Sequence, residues 1–273
     1  MLNRGGPVTK DGSTGPLRVL VFGGGPGLTH DAREFITHLE VHPEIELLGV
    51  FCQSESQSWG AILRDLRKRR GLLAFPLLVA RVFAGISIFL RDPRKETALK
   101  EKLDEISGRI HNVKDIHAQA ILDQVSSLNP DLGLIYGSPI LKPSLFNIPR
   151  YGTLGIHHGK VPEYRGNKTT FWAMYNGEAA AGVTIQKVNE GLDTGSIVKE
   201  GSVPIGRRSY QRVWSDLESL GLDLYIQAIL EVKNGTAAYR PQTGKKGRLY
   251  RNPKPKDFVT LWARQLQRRF GRI

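Results

Sequence analysis

Gly152-Thr153-Leu154-Gly155-Ile156-His157-His158-Gly159, Pro162-Glu163-Tyr164-Arg165-Gly166, Gly182-Val183-Thr184-Ile185 and Gly191-Leu192-Asp193-Thr194-Gly195 follow one another in a single stretch that closes at Ile197. It reads as a β-rich run, a turn, the aromatic run Thr170 to Tyr175, a second strand and a loop. Loops hung from strand ends are where α/β proteins keep their chemistry. Side chains alternate along an extended segment, so Gly155 and His157 share one side and His158 takes the other. His157 and Asp193 form a candidate pair, because an imidazole oriented by a carboxylate can serve as general base, general acid or oxyanion stabiliser. On local sequence alone, a single histidine after a strand is more often structural. No serine or cysteine nucleophile is indicated: Cys52 has no companion motif and no Gly-x-Ser-x-Gly elbow occurs.

Outward from this stretch, Leu17 to Phe22 is a short β-rich run entering Gly23-Gly24-Gly25-Pro26-Gly27. Thr29 to Glu40 then spaces Ala32, Phe35, Ile36 and Leu39 as one face of a helix. Ile45 to Cys52 reads as a second strand, Ile116 to Leu128 as a helix, and Asp131 to Tyr136 as a third strand. Strands alternating with helices predict an α/β fold with a mostly parallel sheet and right-handed crossovers. The glycine turn has Leu28 where a dinucleotide fingerprint has its third glycine, and Phe51-Cys52-Gln53 offers no acid for a ribose, which disfavours a nicotinamide cofactor. Gly24 and Gly25 read equally well as an anion seat at a helix start or as a plain tight turn.

The chain has 273 residues with 40% hydrophobic content, enough for a buried core and too much for a disordered protein. One cysteine excludes an internal disulfide and a multi-cysteine metal site, so no metal is expected and a reducing cytoplasm is the economical setting. Residues 1–16 read as a mobile leader without a signal-peptide core. The net charge is +13 and the pI is about 9.9, which suggests an anionic partner. The excess concentrates between Arg240 and Ile273, where Asp257 is the one acidic residue. That region interleaves its basic residues with Tyr250, Phe258, Trp262 and Phe270, and Leu261 to Phe270 has the spacing of an amphipathic surface helix.

Gly71 to Leu90 is apolar except for Arg81 and Ser87 and has basic flanks. Arg81 near its centre would cost roughly 2.5–3.5 kcal/mol in a bilayer and Pro76 interrupts a helix, so spanning is disfavoured. An in-plane helix on anionic lipid, or a helix pair on the core or on a second subunit, are the two readings left. The domain plan is therefore a leader at 1–16, a catalytic domain at 17–239 with an apolar and basic helical insertion at about 60–110, and a basic extension at 240–273.

Gly152-Thr153-Leu154-Gly155-Ile156-His157, Pro162-x-Tyr164-Arg165-Gly166, Phe171-Trp172-Ala173-Met174, Asn176-Gly177-Glu178 and Leu192-Asp193-Thr194-Gly195 resemble the catalytic core of the 10-formyltetrahydrofolate-dependent formyltransferases. That group includes the glycinamide ribonucleotide, methionyl-tRNA and sugar N-formyltransferases. The resemblance is densest from Asp131 to Val198, and the strand, turn and helix from Leu17 fit the same Rossmann-like domain; residues 53–115 and 240–273 are not covered.

The resemblance implies transfer of a formyl group from 10-formyltetrahydrofolate to an amine through a tetrahedral intermediate. It assigns His157 and Asp193 to the family's catalytic histidine and aspartate. It places folate against Tyr136, Ser138, Ile140 and Leu141 on one loop and Val188 and Glu190 on another, although Ile140 and Leu141 also read as ordinary core. Gly24, Gly25, Tyr164, Arg165 and Gly166 are the implied acceptor residues. The family's Asn-x-His motif has Gly155 in place of its asparagine, and losing one oxyanion donor typically costs about 10²–10³ in rate. Three explanations are open: His158, Asn167, Lys168 or Asn189 supplies the donor, a different acyl donor is used, or the site binds without turnover.

Residues after Lys233 do not read as the β-barrel of the methionyl-tRNA enzymes, so a nucleic-acid acceptor is not expected. The expected acceptor is a small, phosphate-bearing amine, an amino sugar linked to a nucleotide or lipid in surface-glycan assembly. The expected location is the cytoplasm, peripheral at the inner membrane face through 71–90 and 240–273, with a homodimer left open. A folate- or membrane-binding homologue without turnover and a 10-formyltetrahydrofolate hydrolase are the competing readings.

Overall fold

In a computed structural model of the chain, the described residues are 15–24, 28–53, 93–244 and 247–269. The turn residues Gly25 to Gly27, the apolar Gly71 to Leu90 segment and Phe270 lie outside them. The first strand, β1 (Leu17–Gly24), buries Val19, Leu20, Val21 and Phe22 completely. A strand buried on both faces must be covered on both sides. Val19 and Val21 meet Phe35, Ile36 and Leu39 of helix α1 (His30–Glu40), while Leu20 and Phe22 join Val125, Leu145 and Phe146 on the opposite face. The α1 helix starts where its spacing predicts, because the Thr29 hydroxyl accepts a hydrogen bond from the Ala32 N–H at 3.2 Å and so caps it.

Strand β1 is joined in parallel by β2 (Ile45–Gln53), which pairs in turn with β3 (Ile110–Val113). On its other side it pairs in parallel with β4 (Leu132–Tyr136), which pairs with β5 (Thr153–His157). A short β6 (Tyr164–Gly166) leaves this sheet. β7 (Ala180–Lys187) lies antiparallel to β5, and β8 (Ile197–Pro204) antiparallel to β7. The order is β3-β2-β1-β4-β5-β7-β8, the expected mostly parallel sheet with an antiparallel pair at one edge. Its direction of growth reverses between β1 and β4, the switch point at which open α/β sheets bind ligands.

Helices α2 (Pro93–Glu105), α3 (Gln119–Ser127), α4 (Pro143–Phe146), α5 (Thr169–Asn176) and the long α6 (Tyr210–Lys233) complete the layers. In α6, Tyr225 is fully buried; its hydroxyl accepts from the Ile135 N–H at 3.0 Å and donates to the Leu154 carbonyl at 2.8 Å, tying β4 to β5. The Phe35 ring stacks on Tyr225 at 4.8 Å and on Tyr136 at 5.1 Å.

Two readings of the sequence need correction. Helix α3 begins at Gln119 rather than Ile116, because Ile116 is drawn into the core and gives its N–H to the Gln53 side chain at 3.0 Å. The strand read as third is the fourth: β3 is four residues long and sits at the sheet edge, where Ile110-His111-Asn112-Val113 carries no continuous apolar signal. The basic extension after Arg240 packs on the domain. Arg240 and Ile197 exchange two backbone hydrogen bonds at 2.8 Å, β9 (Arg248–Tyr250) pairs with β6, and α7 (Pro255–Arg269) buries Leu261 against the cluster around Phe171 and Leu217. Among the described residues no helix is long and apolar enough to cross a membrane.

Candidate active site

Strand β5 ends at His157, and the alternation along it holds: Gly155 and His157 line a cavity of about 260 Å³, while His158 turns to the far side. The other walls are the loop Gly137 to Leu141 after β4 and the loop Val188 to Gly195 between β7 and β8. That second loop starts beside Thr153, where the Val188 N–H meets the Thr153 carbonyl at 2.8 Å, and returns to set Asp193 against His157. Asp193 has a positive φ of 51°, a conformation that aspartate tolerates better than most residues.

The His157 ring faces two acceptors. Its Nε2 is 2.7 Å from the Tyr164 carbonyl, which can only accept, so Nε2 carries a hydrogen. Its Nδ1 is 3.5 Å from Asp193 Oδ1, and both side chains are nearly closed to solvent. The Asp193 carboxylate is fixed in turn: Oδ2 accepts from the Gly166 N–H at 2.7 Å and Oδ1 from the Gln186 amide at 3.3 Å. Sequence reading missed Gln186 and Gln242. The Gln242 amide donates to the Gly195 carbonyl at 2.8 Å, to the Asp193 carbonyl at 3.1 Å and to the Gln186 side-chain oxygen at 3.2 Å. A buried glutamine within an apolar strand was the available signal for Gln186. Gln242 had none, since its partners lie far away in the chain.

Of the residues expected to hold folate, Ser138, Ile140, Leu141, Val188 and Glu190 line this cavity. Ile140 is 72% exposed while Leu141 is buried in the core, so the core reading holds for the second alone. Tyr136 does not face the cavity; its ring is buried on Phe35. Gly24 is not a liner either. A Cβ there would stand 2.9 Å from the Gly137 carbonyl and from Pro139, so the residue is glycine because two strand-end loops meet at the switch point. Gly25 lies outside the described residues.

Gly166 and Asn167 line the cavity, but the side chains of Tyr164 and Arg165 brace its surroundings. Arg165 donates twice to the Leu192 carbonyl, at 2.6 and 3.0 Å, and Tyr164 stacks on Tyr250 and donates to Glu178 at 2.6 Å. A larger cavity of about 570 Å³ beyond Tyr164 contains neither His157 nor Asp193. The paired chemistry therefore points to the smaller one. Burial pushes the Cys52 thiol up to about 11, in keeping with an inert core cysteine. Among the described residues no group of three or more metal-ligating side chains converges.

Two of the four proposed oxyanion donors are displaced from the cavity. His158 stacks against Trp214 at 4.6 Å and lies 2.8 Å from Glu218 Oε2, although neither atom meets the other along a hydrogen-bond direction. The Lys168 ammonium sits 6.0 Å over the Trp214 ring. Asn189 lines the cavity, and its side-chain oxygen accepts from the Gly191 N–H at 3.1 Å and the Thr194 hydroxyl at 2.8 Å. Asn167 is held beside Gly166 by its backbone N–H to the Tyr250 carbonyl at 2.9 Å.

The buried His158 and Glu218 pair sets a pH prediction. Burial, then the neighbouring His157 and Lys168, lowers His158 from 6.5 to about 3. Burial, then Asp31 and Glu34, raises Glu218 from 4.5 to about 8. From pH 3 to 8 the folded pair thus holds one proton. The unfolded chain holds none above 6.5, one between 4.5 and 6.5, and two below 4.5. Stability should therefore be level between pH 4.5 and 6.5 and fall by about 2 kcal/mol on either side, as pH rises from 6.5 to 8 and as it drops from 4.5 to 3. Urea midpoints across this range measure both arms; Glu218→Gln should flatten the alkaline one, and an unchanged slope would assign it elsewhere.

The formyl transferase family model matches residues 90–229, just over half of the chain. Among curated relatives, a methionyl-tRNA formyltransferase of Thermodesulfovibrio yellowstonii is 34% identical over 127 residues, covering 45% of this chain and 41% of its own. The chain spans about half the length of the curated relatives it matches. Among solved structures, a sugar N-formyltransferase from a Shewanella species superposes with a TM-score of 0.57 at 14% identity, covering 90% of this chain and 86% of that one. An N-formyltransferase from Helicobacter canadensis, in complex with folinic acid and dTDP-3-aminofucose, gives 0.52 at 15% identity, covering 86% and 70%. With the family model matched over more than half of the chain and across most of the sheet, the chain belongs to the formyl transferase family.

Proposed function

We propose that the protein transfers a formyl group from 10-formyltetrahydrofolate to a primary amine, and that the amine belongs to an amino sugar linked to a nucleotide or a lipid. The observation that carries the transfer is the His157 imidazole held between the Tyr164 carbonyl and an Asp193 carboxylate that Gly166 and Gln186 fix in place. The acceptor class is supported by the fold's likeness to the enzyme solved with dTDP-3-aminofucose and by a net charge of +13, which suits a phosphate-bearing acceptor.

In this reading the amine nitrogen bonds to the formyl carbon and the carbonyl electron pair moves to oxygen. The His157 Nε2–H, turning from the Tyr164 carbonyl to the substrate, donates a hydrogen bond to that oxyanion. The Asp193 carboxylate holds the ring and accepts the proton that the amine nitrogen loses, which it then passes to N10. Collapse returns the electron pair, breaks the bond to N10 and leaves tetrahydrofolate, whose nitrogen receives the proton. The Gly137 to Leu141 and Val188 to Gly195 loops would hold the folate largely through backbone groups.

Asn167 is assigned the donor missing at Gly155. Asn167→Ala should lower kcat about 10²–10³-fold. Gly155→Asn should recover part of that loss, since a Cβ at Gly155 meets Val188 and Ile135 at ordinary contact distances of 3.6 and 3.7 Å. Incubation with 10-formyltetrahydrofolate and a panel of amino-sugar nucleotides tests the whole assignment. Formylated sugar is the expected product. Formate released without acceptor would make the protein a hydrolase, and folate binding without turnover would make it a binding homologue.

A further inference from the structure

Helix α7 buries Leu261 in the core but leaves Phe258 54%, Val259 67% and Trp262 63% exposed, with Leu266 half-buried beside them. At helical spacing these four form one apolar stripe along a flank. Large apolar side chains scattered singly on a surface need no explanation, whereas a continuous stripe of them does.

The stripe borders a cavity of about 310 Å³, formed by Arg207, Arg208 and Arg212 at the start of α6 and by Trp262, Gln265 and Leu266 of α7. Among the described residues Asp216 is the one carboxylate paired with these arginines, reached by Arg208 at 2.9 Å and Arg212 at 3.1 Å. Three guanidinium groups thus face one carboxylate, and the balance is cationic. The Gln265 Nε2 is buried and has no acceptor. A buried donor left unpaired is costly, so the cavity favours an occupant that brings an acceptor oxygen.

We propose that this face is a docking surface for an anionic lipid bilayer: Phe258, Val259 and Trp262 enter the interface, and Arg207, Arg212 and Gln265 hold a headgroup phosphate at its edge. Amphipathic arginine- and tryptophan-bearing helices lie in membrane interfaces in this way, because apolar burial and attraction to anionic headgroups act together. A second copy of the chain is a poorer occupant. A two-fold contact through this stripe would bring two cationic clusters together, and like charges juxtaposed across an interface are unfavourable. The surface does not depend on the formyl-transfer assignment.

The test is flotation of the full-length protein with vesicles of phosphatidylcholine alone and of phosphatidylcholine with phosphatidylglycerol, at low and high salt. Binding is expected to the anionic vesicles at low salt and to be lost as salt rises. Each of Arg207→Gln and Arg212→Gln should weaken partition about fivefold. Trp262→Ser should weaken it at low salt, with formyl transfer or folate binding unchanged. No flotation with anionic vesicles, or flotation unaltered by these substitutions, overturns the proposal. So does a dimer in light scattering that Trp262→Ser dissolves, which would give the face to a second copy.

Discussion

Asp193→Ala is expected to lower kcat about 10²–10⁴-fold, the range for losing a positioned acid–base group, while the protein still unfolds cooperatively. The carboxylate lies 3.5 Å from the His157 ring and reaches the opposite loop through the Gly166 N–H. Removing it frees the imidazole to rotate and leaves Gly166 without its acceptor. Asp193→Asn separates the two effects. An asparagine oxygen can still accept from Gly166, but its amide cannot carry charge beside the ring. If charge matters, Asn should fall nearly as far as Ala; if shape alone matters, Asn should retain most of the turnover. Single-turnover kinetics with saturating donor distinguish a loss of chemistry from a loss of binding. Turnover that survives in both variants would remove Asp193 from the mechanism.

Phe35→Ala carries the largest expected loss of stability, about 3–5 kcal/mol. The ring is fully buried, stacked between Tyr136 and Tyr225, and those two tyrosines join α1, β4 and α6 at one point. An alanine leaves a cavity that the sheet cannot close, because Tyr225 is pinned by its hydrogen bonds to β4 and β5. At about 2–4 °C per kcal/mol for a domain of this size, the thermal midpoint should fall by about 10 °C. Phe35→Leu should lose markedly less, since it refills most of the volume. Equal losses for the two would mean that the stacking geometry, more than the filled space, is what α1 requires.

Where the fold was legible, the local pattern and the tertiary environment asked for the same residues. The first strand is apolar on both faces because it is covered on both, and Thr29 caps the helix whose apolar spacing follows it. β3 escaped because an edge strand of four residues buries little. The alternation along β5 separated His157 from His158 correctly. Burial partners were another matter: the same rule says nothing about Glu218 or Trp214, which come from a helix more than fifty residues later. His157 and Asp193 were legible as a candidate pair from their residue types, and the structure sets their side chains 3.5 Å apart. At Tyr136 the strand end carries its side chain into the core, against Phe35.

Gln242 connects that site to the order in which the chain is made. The loop bearing Asp193 takes its shape from an amide 49 residues downstream, and Asn167 is held by the carbonyl of Tyr250. A nascent chain that has emerged as far as α6 already contains His157, Gly166, Gln186 and Asp193, but it lacks the Gln242 amide and the Tyr250 carbonyl. The contacts of the site with Gln242 and Tyr250 can therefore be made only after the segment beyond Arg240 has been synthesised.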